Sequence, residues 1–390
     1  MQSPTPFTKF NYPVSYRLGC GRIRELSATC RELGTSRPLV VTDPGVRGLP
    51  WFAQALGDLE AAGLRVTVHS EVHENPIESD VQSGVDLYRS ADCDGVILIG
   101  GGSPLDVGKC IALLAKNPGT VMDYEDVGDN YLRADPSKIP PMIALPTTSG
   151  TGSEVGRASV IVNAAHEKKI IFHPKMQPPV VIADPELTFG LPPHLTAYTG
   201  LDAFVHCFEA YCAPGYHPFA DGIALEGMRL IQTALPRAYA NGKDALARTD
   251  MMVASSMGAT AFQKGLGIVH AIAHALGGSI GIHHGLANSI LLPYCMIYNR
   301  AAISPKATRL ARLLELERPD FEGLLEWVIQ TRAALGVPHR LGGVAGWSAD
   351  LPKRLAPVAL ADPSLSTNPT PAGLAELEAL MERAAQGVLQ

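Results

Sequence analysis

No stretch of the chain approaches the roughly 20 consecutive apolar residues needed to span a bilayer, so no membrane partner is expected. Basic residues are not in excess: 32 Lys and Arg stand against 38 Asp and Glu, a formal net charge of −6. A nucleic-acid binder needs a basic face to meet phosphates, and none is evident, which excludes that class. The N-terminus, MQSPTPFTKF, has no charged head followed by an apolar core and does not read as a signal peptide. Cysteine is sparse, seven in number and without framework spacing. That pattern predicts buried thiols in a reducing compartment, with the cytoplasm as the expected location. Low-complexity segments and internal repeats are also absent. What is left is a 390-residue chain, 46% hydrophobic and 18% charged, which is long for a single core. Two domains are the default expectation.

The first half alternates strand and helix patterns. RPLVVTD, LRVTVHSEV, DGVILIGGGS and PPMIALPTTSGTGSE read as strands, with WFAQALGDLEAAG, DVQSGVDLYRSAD and PLDVGKCIALLAKN as helices between them. Alternation of this kind predicts an α/β domain, a parallel sheet flanked by helices, over residues 1–190. Beyond DPELTFGLPP the chain turns Ala- and Leu-rich with helical recurrence, and strand patterns nearly vanish. Residues 191–390 are therefore expected to form an all-helical domain.

Two glycine-rich turns close apolar strands in the first half. Gly100, Gly101, Gly102 and Ser103 lie between a strand and a helix N-terminus, where close backbone N–H groups and the helix dipole suit a phosphate. A P-loop does not fit, because Ser103 stands where glycine is needed and Cys110 where Ser or Thr is needed. The second turn runs from Thr147 and Thr148 through Ser153 and adds hydroxyl donors. In open parallel sheets ligands bind at the carboxyl ends of strands, where both turns fall. Asp43, ending LVVTD, could accept both hydroxyls of an adenosine ribose and would repel a 2′-phosphate, pointing to NAD over NADP. The alternative for Asp43 is a plain turn residue before Pro44.

The second half carries candidate metal ligands. Asp202 and His206 in GLDAFVHCFEAY are four residues apart, and His270 and His274 in GLGIVHAIAHALGG repeat that spacing. On a helix such pairs share one face, so each could aim two side chains at one point. His283 and His284 follow in a Gly-flanked turn. Nitrogen and carboxylate donors suit zinc or ferrous iron better than calcium or magnesium.

Together GGGSPLDVGK, ALPTTSGTGSEV, IADPELTFGLPP, GLDAFVHCFEAY and GLGIVHAIAHALGG…HHGLANSILLP resemble the iron-dependent (group III) alcohol dehydrogenases. The resemblance runs in order from about Phe7 to near the C-terminus. It implies an N-terminal α/β dinucleotide-binding domain, a helical C-terminal domain, and one divalent metal, Fe²⁺ first and Zn²⁺ second. It also implies metal ligands at Asp202, His206, His270 and His284, with His274 near the nicotinamide or substrate. For NAD it implies Asp43 at the ribose, Asn75 at the adenine side, and Gly101, Gly102 and Ser103 on the diphosphate. Thr147, Thr148 and Ser153 would join these last, and Val160, Lys169 and Leu187 fall where family members contact the cofactor.

The activity so implied is metal-dependent hydride transfer between NAD(H) and a small primary alcohol or aldehyde, by an enzyme expected to be a homo-oligomer. A non-redox lyase of the dehydroquinate synthase type is the alternative, but it needs a basic cluster, and the segments around the ligands are mostly apolar. Lys264, Arg157 and the segment DPSLSTNPTPAG depart from common family patterns. A cation in an apolar segment needs a partner, so Lys264 or Arg157 is a candidate for meeting a substrate carboxylate, as in a hydroxy acid or its semialdehyde. The alternative is that Lys264 reaches out to solvent and Arg157 pairs with a local Glu such as Glu154.

Overall fold

The computed structural model describes residues 14–389. The chain divides into two compact units: Val14–Pro192 with Asn241–Met252, and Pro193–Ala240 with residues 253–389. No pattern in the sequence announces the return of 241–252 to the first unit.

The first unit is built on a six-stranded sheet. Its strands are β1 (Ser15–Leu18), β2 (Pro38–Val41), β3 (Thr67–His69), β4 (Gly95–Gly100), β5 (Met142–Pro146) and β8 (Val180–Ala183). They lie in the order β1-β8-β5-β4-β2-β3, every pair parallel. β2, β4, β5 and β8 are buried at every residue, as expected of strands covered on both faces. Helices α1 (Leu26–Glu32), α2 (Pro44–Arg47) and α3 (Pro50–Ala61) come before β3, and α4 (Glu78–Ser90) and α5 (Gly102–Leu114) flank β4 in sequence. Leu26, Phe52 and Leu59 join Val40, Ile97, Ile143 and Ile182 in one core cluster. α5 lies so near β4 that a Cβ on Gly108 would come within 2.1 Å of Leu98.

From β2 the chain moves outward to β3, then returns to place β4 on the other side of β2. The order therefore reverses between β2 and β4, and the crevice at their carboxyl ends is where such sheets bind ligands. One element departs from plain alternation: β6 (Ala158–Val162) and β7 (Lys168–Phe172) form a separate antiparallel hairpin.

The second unit is helical: α6 (Pro193–Cys212), α7 (Pro218–Ala240), α9 (Ile268–Ile280), α10 (His284–Tyr298), α11 (Arg300–Leu313), α12 (Phe321–Ala334), α13 (Leu351–Ala361) and α14 (Leu374–Gln386). Before α9, α8 (Ala245–Ala261) crosses the division in sequence. α6 packs on α7 and α10, and α9 on α10 and α13. Almost every side chain of α6 beyond Thr196 is buried, including Asp202, His206 and Glu209. A helix buried all round exposes its terminal carbonyls to the protein interior, where they need donors. Lys306 Nζ donates to the carbonyls of Tyr211, Cys212 and Ala213 at 2.6, 3.3 and 3.1 Å, and Lys264 Nζ donates to Tyr211 at 3.2 Å.

Lys264 Nζ also sits 2.5 Å from Asp221 Oδ1. The expectation that Lys264 meets a substrate anion is therefore overturned: its charge is already matched by Asp221 and by the negative end of α6. Burial and the neighbouring Lys264 ammonium together push the Lys306 pKa down. Among the described residues no helix is long and apolar enough to cross a membrane.

Candidate metal centre and nucleotide-binding turns

The i,i+4 pair on α6 and the ligand candidates on α9 and α10 converge. One donor atom from each of Asp202, His206, His270 and His284 lies within 4.8 Å of the others. Asp202 Oδ2 is 3.9 Å from His206 Nδ1, and Asp202 Oδ1 is 3.5 Å from His284 Nε2. The His206 and His270 rings stack at 4.6 Å. Small residues permit this approach. A Cβ on Gly285 would come 2.3 Å from the Tyr198 carbonyl, so the start of α10 can touch α6 only with glycine after His284. Three imidazoles and a carboxylate, largely buried together, match the donor chemistry of zinc or ferrous iron.

Around this cluster are partners that orient the donors. Asn288 Nδ2 donates to Asp202 Oδ1 at 2.6 Å and lies 3.2 and 3.1 Å from His270 Nε2 and His284 Nε2. Glu209 Oε2 is 2.6 Å from His270 Nδ1. Burial alone would lower the His270 pKa, but the hydrogen bond and charge of Glu209 raise it above the ordinary imidazole value. His274 belongs to the same group without being one of the four: its ring stacks on His284 at 5.3 Å, and its Nδ1 is 2.8 Å from Asp362 Oδ2. Burial works to raise the Asp362 carboxyl, yet the His274 charge and hydrogen bond hold it below the usual aspartate range. His283 caps α10, its Nδ1 accepting from Leu286 N at 3.4 Å, and packs near Tyr198.

Sequence reasoning passed over Glu209, Asn288 and Asp362. Glu209 had a signal, a second carboxylate on a mostly apolar helix, three residues beyond His206. Asp362, 88 positions from His274, had none.

In the first unit the two glycine-rich turns lie at the carboxyl ends of the adjacent strands β4 and β5 and face each other. A Cβ on Gly101 would meet Thr148 at 3.3 Å, and one on Gly102 would meet Thr151 at 2.8 Å. Gly100 has φ +149°, and a Cβ there would strike Pro104 at 2.6 Å. Thr147 N donates to the Gly100 carbonyl at 2.9 Å, fixing one turn on the other. The N-cap of α5 is Gly101, which has no side chain with which to cap the helix, and free backbone amides at such an end suit a diphosphate. Asp43, which follows β2 and caps α2, does two things: its Oδ1 accepts from Val46 N at 2.9 Å, and its Oδ2 faces Gly100. Ser103 Oγ donates to the Glu74 carbonyl at 2.5 Å, which brings Asn75 to the same edge.

The remaining residues are more committed to the fold. Ser153 Oγ donates to Asp106 Oδ1 at 2.5 Å, and Val160 N donates to Asp106 Oδ2 at 2.9 Å. Lys109, fully buried, pairs with Asp106 at 3.3 Å and donates to the Ser153 and Ala158 carbonyls. Asp106 and Lys109 thus hold the second turn, a role the DVGK tetrapeptide could have suggested. Lys169 pairs with Glu167 and Glu125 at 3.0 and 3.6 Å, and Leu187 lies in the sheet core. Arg157 stands over the Phe172 ring at 5.6 Å.

A glycine-rich turn at the switch point of a parallel sheet, together with a buried cluster of three histidines and one carboxylate in a helical unit, has the chemistry that a nucleotide-dependent metal enzyme requires. Comparison with known proteins agrees. The pattern described as iron-containing alcohol dehydrogenase matches residues 13–185, and that of the Fe-containing alcohol dehydrogenase family, C-terminal, matches residues 196–385. A 4-hydroxybutyrate dehydrogenase of Cupriavidus necator is 38% identical over 95% of this chain and 98% of its own. An NAD-dependent methanol dehydrogenase of Bacillus methanolicus is 35% identical over 85% of each. A crystal structure of 1,3-propanediol oxidoreductase superposes with a TM-score of 0.90 at 33% identity, covering 97% of this chain and 100% of that one. The chain belongs to the iron-containing alcohol dehydrogenase family. It is accordingly an oxidoreductase that needs a divalent metal and NAD and acts on a small alcohol or aldehyde. The relatives named are dehydrogenases, and the lyase alternative finds no support among them.

Proposed function

We propose that Asp202, His206, His270 and His284 hold one divalent ion, Fe²⁺ before Zn²⁺, and that His274 exchanges the alcohol proton. The convergence of the four donors, with the His274–Asp362 pair beside them, carries this reading. When bound, the ion supplies Lewis acidity at the substrate oxygen and NAD supplies the hydride acceptor. The chain does the rest. Asp362 holds a proton on His274 Nδ1 and leaves Nε2 as the atom that takes up or returns the substrate proton. Asp202 is kept in one orientation by the Asn288 amide. Asp43, Asn75, Gly101, Gly102, Ser103, Thr147 and Thr148 bind NAD in this reading, with Ser153, Val160, Lys169 and Leu187 supporting the same surface. The carboxylate of Asp43 disfavours NADP.

The substrate is a primary alcohol or its aldehyde, with a hydroxy acid or its semialdehyde as the favoured class, a reading supported by the similarity to a 4-hydroxybutyrate dehydrogenase. Location in the cytoplasm is supported by seven free thiols, six of them buried. A homo-oligomer is proposed on the family resemblance alone.

The test is metal-free protein loaded separately with Fe²⁺, Zn²⁺ and Mn²⁺, then given NAD and matched substrates such as butanol, propane-1,3-diol and 4-hydroxybutyrate. NADH absorbance should rise, fastest with Fe²⁺ and with the hydroxy acid. No NADH with any metal and any alcohol would overturn the reading.

A further inference from the structure

We infer that Glu209 is a positioning residue for the metal site: its buried carboxylate sets the tautomer of His270 and locks α9 against α6. The inference rests on His270 being a metal ligand, as proposed above. Glu209 is only 6% exposed, and its two oxygens take three donors. Oε2 accepts from Gly267 N at 3.0 Å and faces His270 Nδ1 at 2.6 Å, while Oε1 accepts from Val269 N at 2.8 Å. Ile268 N, between them, donates to Asn368 Oδ1 at 3.1 Å. The amides that open α9 are thus engaged by two side chains remote in sequence, in place of a local cap.

Three consequences follow from this geometry. An ionised carboxylate only accepts, so the proton of neutral His270 must sit on Nδ1, and the lone pair is left on Nε2. That Nε2 lies toward Asp202 and His284, 3.2 Å from the Asn288 amide that touches both. A second negative charge behind the imidazole makes it a stronger donor to a cation. Finally, α6 carries Asp202 and His206 directly and reaches the third donor through Glu209, so one helix sets three of the four ligands. Position 267 is restricted for the same reason: a Cβ there would lie 2.7 Å from Glu209 Oε1 and 2.9 Å from Asn368 Oδ1.

The competing explanation is that Glu209 merely caps α9. Glu209→Gln and Asn368→Ala together separate the two. Whichever way its amide lies, Gln removes the negative charge behind His270, and its NH₂ faces either Val269 N, breaking part of the cap, or Gly267 N and His270 Nδ1, forcing the His270 proton onto Nε2. Full-length protein is stripped of metal and its affinity for Zn²⁺ measured by chelator competition. The visible spectrum of the Co²⁺-loaded protein and the melting temperature of the metal-free protein are recorded beside it. Glu209→Gln should weaken Zn²⁺ binding by about 10- to 100-fold and change the Co²⁺ spectrum. Asn368→Ala, which removes the neighbouring cap but not the His270 contact, should lower the melting temperature and leave Zn²⁺ affinity near the starting value.

Wild-type affinity and spectrum in Glu209→Gln would overturn the inference, as would an Asn368→Ala loss of affinity equal to that of Glu209→Gln. His270→Ala serves as the reference: full metal binding there removes the underlying ligand assignment instead. Should Glu209→Gln fail to fold, Glu209→Asp decides. Its shortened carboxylate should lower Zn²⁺ affinity, and unchanged affinity would overturn the inference.

Discussion

The turn at Gly100–Gly102 offers backbone amides, whereas the cluster at Asp202, His206, His270 and His284 offers side chains, and the two regions fail in different ways. The backbone site depends on what is missing. A Cβ on Gly102 meets Thr151 at 2.8 Å, so a substitution injures it by adding atoms. The side-chain site depends on donors held by partners, such as His270 by Glu209, and is injured by removing atoms. A backbone site tolerates exchange of the surrounding side chains provided the turn survives, while each donor of a metal cluster is individually needed.

The largest expected effect tests the second half of that contrast. His270→Ala should remove most bound metal and nearly all turnover while NAD still binds, as read by metal analysis, the rate of NADH formation and NAD titration. Full metal content and rate in this variant would break the comparison. Gly102→Val is the counterpart in the backbone site. Overpacking of this kind costs about 1–3 kcal/mol, so kcat/KM for NAD should fall by about 10- to 100-fold with metal content unchanged. A variant that lost metal and kept NAD affinity would contradict it.

Lys264→Met leaves Asp221 without its ion-pair partner and α6 short of a donor, which should destabilise the protein by about 1–3 kcal/mol. Denaturant titration measures this loss. Its kcat/KM should change equally for 4-hydroxybutyrate and butanol, since Lys264 is matched within the protein; a selective loss for the charged substrate would restore the substrate contact. Asp43→Gly should relax the preference for NAD over NADP, measured as the ratio of kcat/KM values. Val46 N also loses its cap, a loss of about 1 kcal/mol.

The smallest effect concerns pH and lies away from both sites. Burial works to raise Asp94, but hydrogen bonds from Ser36 and Arg37 and the Arg37 charge hold its pKa below the ordinary value. A lowered native pKa contributes stability that is complete above the unfolded value near about 4 and is lost as pH falls through the native value. Asp94→Asn should therefore lose about 1 kcal/mol at neutral pH and progressively less on acidification, followed by urea melts at several pH values. A constant loss across that range would count against the assignment.

The strands and helices that build the sheet centre were legible because each is a continuous apolar run or a 3.6-residue recurrence ending in a turn. DGVILIGGGS became β4 and PLDVGKCIALLAKN became most of α5. The edge strand β1, the buried β8 and the β6–β7 hairpin were not read from pattern. Four residues are too few to show a period, and strands separated by 165 positions, as Ser15 and Val180 are, pair only in three dimensions. The four-donor cluster was legible because i,i+4 spacing on a helix is itself a geometric statement. Which of the six candidates meet was not, and the resemblance to a family supplied that choice.

What the sequence by itself determined is therefore local: the class of each long element, the two glycine turns and the paired spacing of histidines and a carboxylate. Tertiary structure alone decided that Lys264 answers Asp221, that Ser153 and Val160 hang on Asp106, that Glu209 and Asn288 stand behind the donors, and that Asp362 stands behind His274. The physical reason is range. Helix and strand periodicity is set by backbone geometry within a few residues, while a hydrogen bond or ion pair between side chains depends on separations of a few ångströms between positions tens of residues apart, which only packing establishes.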